Sequence, residues 1–197
     1  MSTTLPELQR APDCLDTLRE AKARHEFVRV HRHIPGADDI VGHVVLVGSQ
    51  WVLIGVISDG SPNGWVAVLV DDIASVDSEP GGRFVRRALE HQQSWPAQGP
   101  LVPLVLSEGA RALIVSAASY FPLVTLYVER EDPFHCFVGR PHDWTENSLS
   151  WQEMDLAATW SPELCEWNPG TITRVDFGGQ YETALARVAE LRSASVL

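Results

Sequence analysis

The chain repeats itself, and the repeat limits what it can fold into. Ile73-Ala74-Ser75-Val76-Asp77 returns as Ile172-Thr173-Arg174-Val175-Asp176. Gly81-Gly82-Arg83-Phe84 and Ala88-Leu89 follow the first copy; Gly178-Gly179-Gln180-Tyr181 and Ala184-Leu185 follow the second. Upstream, Ile40-Val41-Gly42 lies 34 residues before Val76, and Phe137-Val138-Gly139 lies 36 before Val175. Phe27-Val28-Arg29-Val30-His31 matches Leu123-Val124-Thr125-Leu126-Tyr127 at 15 and 16 residues before those glycines. One such match means little, but four at near-constant spacing read as an internal duplication.

Each copy has its own local pattern. In the first, Leu15, Leu18 and Ala21 recur at helical spacing behind Asp13, which reads as an N-cap. Phe27–His33 alternates as a half-buried strand, and 41–47 and 51–58 are β-branched runs joined by Gly48-Ser49-Gln50. Residues 65–70 and 73–76 are further strands, and a helix runs over 83–92. In the second copy, an Ala-rich helix over 108–119 is capped by Ser107. Strands are expected over 123–129, 136–140, 148–154, 163–167 and 171–175, then a helix over 180–192. The division is a first unit at 13–93, a linker at 94–106 and a second unit at 107–192. Five short strands with tight turns cannot lie flat and bury both faces, so each unit is expected to close into a small barrel. The fold class is mainly β (α+β): two tandem five-stranded barrels, each preceded and followed by a helix and related by a pseudo-two-fold axis.

The order of one helix and five strands, with Val41-Gly42 opening a long hairpin and Ile73-Ala74-Ser75-Val76 near the end, resembles the Sm-like subset of SH3-type barrels. Members of that family carry an Asp in the following hairpin and an Asn after it. Here Gly48, Ser49 and Gln50 stand there, so the RNA-contacting positions do not carry over. Phe137-Val138-Gly139, Ala158-Thr159-Trp160 and the run 172–185 resemble a family of bacterial proteins with tandem Sm-like/SH3-like barrels and no assigned activity. The resemblance implies architecture and no chemistry.

Charge narrows the choice of partner. The net charge is −11, with 26 acidic against 15 basic residues, 14 of the latter arginine. Both halves are acidic, so nucleic acid and anionic lipid are disfavoured. A local basic patch at Arg83, Arg86 and Arg87 stands apart from that balance. No apolar run approaches a membrane span and no secretory signal opens the chain, which reads as cytoplasmic. The scattered Cys14, Cys136 and Cys165 form no C-x-x-C pair and read as reduced, inert buried thiols.

Among candidate sites, His31 and His33 alternate onto one strand face, and His43 on the next strand can join them in a metal site with three imidazoles. Asp77 and Asp176 stand at equivalent positions before Gly-Gly and a helix, where an Asp caps the helix or fixes the turn. Trp144, Trp160 and Trp167 gather in the second unit, Trp160 and Trp167 flanking a Pro/Glu-rich loop, as an aromatic surface for a protein partner. No phosphate-loop, dinucleotide, zincin or nucleophile-elbow pattern appears, and no cofactor is expected. The sequence thus points to a non-enzymatic protein-binding or scaffold module. An Sm-like RNA-binding protein and a metal-dependent enzyme on the His cluster are the alternatives; self-association is left open.

Overall fold

The computed structural model describes residues 11–95 and 99–194. Helix α1 (Ala11–Arg24) leads into β1 (Phe27–Arg32), β2 (Ile40–Val47), β3 (Trp51–Ser58) and β4 (Ser61–Leu69). A 3-10 turn at Val70–Asp72 joins β4 to β5 (Ile73–Ser78), and α2 (Gly82–His91) follows. The second half repeats the plan as α3 (Ala110–Ala118), β6 (Val124–Tyr127), β7 (Phe137–Trp144), β8 (Leu149–Met154), β9 (Trp160–Trp167), β10 (Arg174–Phe177) and α4 (Gln180–Ala194). The Pro/Glu-rich stretch between Trp160 and Trp167 is therefore strand β9, not a loop. Asp13 lies within α1, so it is not its cap, and the residue capping α3 is Gly109 rather than Ser107.

All ten strands are antiparallel and form one open sheet in the order β5-β1-β2-β3-β4-β10-β6-β7-β8-β9. The expected pair of closed barrels gives way to this continuous ladder, because β4 hydrogen-bonds β10 of the other half rather than returning to β5. Each half does keep the same internal order, and the registers superpose. Phe27 and Val28 face His43 and Gly42 as Val124 faces Gly139; Asp77 faces Arg29 as Asp176 faces Thr125. The register slips between Val44 and Leu46 on β2 and between Pro141 and Asp143 on β7. It slips again between Gly55 and Ile57 and between Gln152 and Met154.

The relation between halves is not the expected two-fold. A two-fold axis brings like edges together, whereas here β4 meets β10, the counterpart of β5, head to tail. Among the described residues this leaves β5 and β9 as the free edges. The exposed Pro162, Glu163 and Glu166 on β9 discourage a further strand from pairing there.

The first half is nevertheless curled. Its end strands, β4 and β5, are joined across the four peptide steps from Leu69 to Ile73. Four steps reach at most ~14 Å, while four flat interstrand gaps need ~19 Å.

Three apolar clusters follow from this arrangement. α1 lays Cys14, Leu18 and Ala21 on Val28, Val30, Ile54 and Val68. α3 lays Leu113, Ile114 and Ala117 on strands of both halves, including Trp51, Leu53, Ala67, Leu126, Trp151 and Val175. The third cluster, Leu123, Met154, Ala158, Leu185 and Ala186, lies under α4. The segment entering α3 also packs on the sheet, where the Leu106 carbonyl accepts the Gln50 and Trp51 N–H groups at 3.3 and 3.1 Å. Among the described residues no helix is long and apolar enough to cross a membrane.

Candidate functional site

A cavity of about 670 Å³ opens in the second half. Its floor is Leu123, which is 1% exposed, and the side chain of Met154. Its helical wall is α4, where Ala186 and Ala189 keep their bulk out of the space, with Glu190 one residue further on. Arg140 and Trp160 also line it, with Ala118, Pro122 and Pro141, and the Arg140 guanidinium lies 4.1 Å from the centre of the Trp160 ring. The Gln152 side-chain oxygen accepts from Arg140 Nε at 3.1 Å and from Nη2 at 2.9 Å. Among the described residues no carboxylate is within ion-pair reach of Arg140. The volume lies within the ~300–1,000 Å³ range of small-molecule sites, and an apolar body with few polar groups is their usual make-up. Such a site can hold an apolar ligand by burial and orient it through one cation.

A second, smaller recess of about 250 Å³ lies on the seam where β4 meets β10. Its charged side chains each have a partner. Arg174 and Asp176 alternate onto one face of β10, and Arg174 donates to both carboxylate oxygens, at 2.7 and 2.5 Å. The guanidinium also lies 4.2 Å from the Tyr127 ring, and Thr125 donates to Glu182 at 2.8 Å. Burial raises the Asp176 carboxyl against the pull of Arg174. Burial and the neighbouring Asp176 charge raise the Tyr127 hydroxyl well above its ordinary range. The cluster is a half-buried network in which each charge has a partner.

The other predicted residues are dispersed. His31 sits between two carboxylates, Nδ1 at 2.9 Å from Asp39 and Nε2 at 3.0 Å from Asp77. His33 is exposed beyond the end of β1, while His43 is 7% exposed and packed edge-on against Phe27 and Trp95. The metal trio is thus not assembled. Four residues of strand separate the sites of Phe27, which faces His43, and His31. Among the described residues no group of three His, Cys, Asp or Glu is placed to hold an ion.

Arg83 and Arg86 line a recess of about 350 Å³ with His25, Phe27 and Glu79, but Arg86 is tied to Glu90 at 2.9 Å and lies 5.6 Å from the Trp95 ring. Arg87 is exposed on α2 outside that lining. Trp144, Trp160 and Trp167 are half-buried. Trp144 is under Arg111, Trp167 against Phe137 at 4.3 Å, and only Trp160 reaches the cavity.

Neither aspartate caps its helix, since Asp77 takes His31, Asp176 takes Arg174, and Gly81 caps α2 with no side-chain bond. Cys14 is buried as expected, Cys165 half-buried and Cys136 exposed. Burial still raises the Cys136 thiol, and burial with Glu153 pushes Cys165 to about 11, so neither is activated as a nucleophile.

Arg140, Met154, Ala186, Ala189 and Glu190 were outside the sequence expectation. The one sequence signal for the helical wall was the spacing of small residues, Ala184-x-Ala186-x-x-Ala189.

Neither a family model nor a curated protein matches the chain. Among solved structures the chain is similar to that described as "Crystal structure of YcgR in complex with c-di-GMP from Escherichia coli". That similarity is at 9% identity over 98% of this chain and 96% of that one, with a TM-score of 0.21, which is too low to carry an argument about fold or function.

Proposed function

We propose that this chain is a non-enzymatic binding and scaffold module, built from two Sm-like units joined head to tail, and that its binding site is the cavity under α4. The repeated strand order and matching bulges support the Sm-like reading of each half. The observation that carries the binding reading is the cavity itself: about 670 Å³, floored by Leu123 and Met154, with a guanidinium lacking a carboxylate partner among the described residues. A site of that make-up takes a small apolar group, whether free or presented by a partner protein. The RNA alternative draws on the Sm-like plan alone, and the net charge of −11 weighs against it.

The test is a fragment titration of the isotope-labelled protein, with aliphatic and aromatic probes and a short RNA as separate arms. Methyl shifts gathered at Leu123, Met154, Ala186 and Ala189 support the reading. Shifts confined to the β4–β10 seam or elicited by RNA alone overturn it.

A further inference from the structure

The two halves treat the same place in the fold differently, and the difference indicates what the cavity holds. The register makes Phe27 and His43 the counterparts of Leu123 and Arg140. In the first half that place is filled. α2 stops at His91, Gln93 takes a left-handed φ of 57°, and the chain turns back. Trp95 then stacks on Phe27 with ring centres 5.4 Å apart and planes at 21°, meets His43 edge-on at 6.1 Å, and carries Arg86 5.6 Å from its ring. In the second half α4 continues to Ala194, so among the described residues none turns back at the matching point, and the small Ala186 and Ala189 leave the space open. The protein's own indole fills in one half what is a cavity in the other.

We propose that the cavity under α4 binds a planar aromatic group carrying an acidic substituent, a ligand that takes the place Trp95 occupies in the first half. This rests on reading the cavity as the binding site. The aromatic preference follows from the surfaces offered. Met154 presents a polarisable thioether and Trp160 an aromatic ring with the Arg140 guanidinium 4.1 Å from its centre, and both favour a flat ring over an aliphatic body of equal size. The acidic substituent follows from Arg140. Among the described residues it is the one cation of the lining, held in place by Gln152 and Trp160 and paired with no carboxylate. Glu190, the one carboxylate of the lining among the described residues, disfavours the acid on the helical side.

The experiment is calorimetric titration of the full chain with three probes: indole-3-propionate, the neutral indole-3-propanol, and cyclohexanepropionate. Indole-3-propionate is expected to bind about tenfold tighter than the cyclohexyl acid. In Arg140→Gln its affinity falls about tenfold, while that of the neutral alcohol is unchanged. In Ala189→Trp, which supplies an indole from α4 itself, both indole probes lose binding; Arg140→Gln, on an exposed side chain, serves as the variant that keeps the fold. Equal affinity for the cyclohexyl and indole acids overturns the aromatic assignment and leaves the cavity as a binding site. An Arg140→Gln protein that binds the indole acid as the wild type does overturns the acidic one. Binding untouched by Ala189→Trp, or no binding by any probe at millimolar concentration, removes the cavity reading with the rest.

Discussion

At the scale of single residues, the costly groups are buried ones. His43 is a neutral imidazole lying on the Gly55 backbone, close enough that a Cβ at Gly55 would stand 2.1 Å from Cε1. Neither ring nitrogen makes a hydrogen bond among the described residues, and burial, tempered by the Gly55 backbone, holds the ring at about 4. The unfolded chain takes up this proton near pH 6.5 and the folded one only near 4, so stability falls as pH drops through that window. The loss reaches about 3 kcal/mol at pH 4 and levels off just below it. A His43→Phe variant is expected to lack that component, and urea titrations of both proteins at pH 7, 5.5 and 4 measure it. Curves for the two proteins that run parallel across this range would refute the assignment.

Arg32 is the opposite case, a buried charge that is fully met. Its side chain is 0% exposed and it grips both oxygens of Glu129, which is 2% exposed. Thr173 donates to the same carboxylate at 2.8 Å, and the Asp38 carbonyl accepts from the guanidinium at 2.9 Å. Glu129→Ala leaves that guanidinium unpaired and is expected to cost about 3–5 kcal/mol, with part recovered by adding Arg32→Met. Chemical denaturation of the single and double variants checks the ordering.

At the scale of elements, the paired glycines explain why the two halves keep a common register. A Cβ on Gly42 would stand 2.3 Å from the Gly55 carbonyl oxygen, and one on Gly139 would stand 2.1 Å from that of Gln152. The close approach of β2 to β3 and of β7 to β8 therefore requires the absence of a side chain at these positions. Gly42→Ala and Gly139→Ala are each expected to destabilise by about 1–3 kcal/mol, because the blocking atom is backbone and cannot swing away. Thermal melts compare the two; a neutral effect at both sites would mean that the strands separate without cost. Element length has its own consequence. Ten residues in α2 let Trp95 return to the sheet, while fifteen in α4 carry the chain past the same point.

At the scale of the whole molecule, the halves are repeats in topology but not separate bodies in packing. One apolar cluster takes Trp51, Leu53 and Ala67 from the first half and Leu113, Leu126, Trp151 and Phe177 from the second. The β4–β10 ladder and the Arg32–Glu129 pair cross the same boundary. The intact chain is therefore expected to melt in a single cooperative transition, with equal calorimetric and van't Hoff enthalpies. A first half expressed alone, stripped of β10 and α3, is expected not to fold cooperatively. Two resolved transitions in scanning calorimetry would contradict a shared core.

The sequence by itself determined the repeat, the order of helices and strands, and the two glycines that set register. All of these are local or periodic: alternation at 2.0, recurrence at 3.6, and a fixed offset between copies. It could not show where β4 would pair, because a strand edge offers the same N–H and C=O groups to its own half as to the other. Tertiary structure decided that β4 joins β10, turning expected barrels into one sheet. It also decided which histidine was buried, and it placed Arg140 across from Ala189, some fifty residues away in sequence. α4 runs on past the point where α2 stops, and the shape of the cavity beside it depends on packing between segments that carry no sequence signal of their meeting.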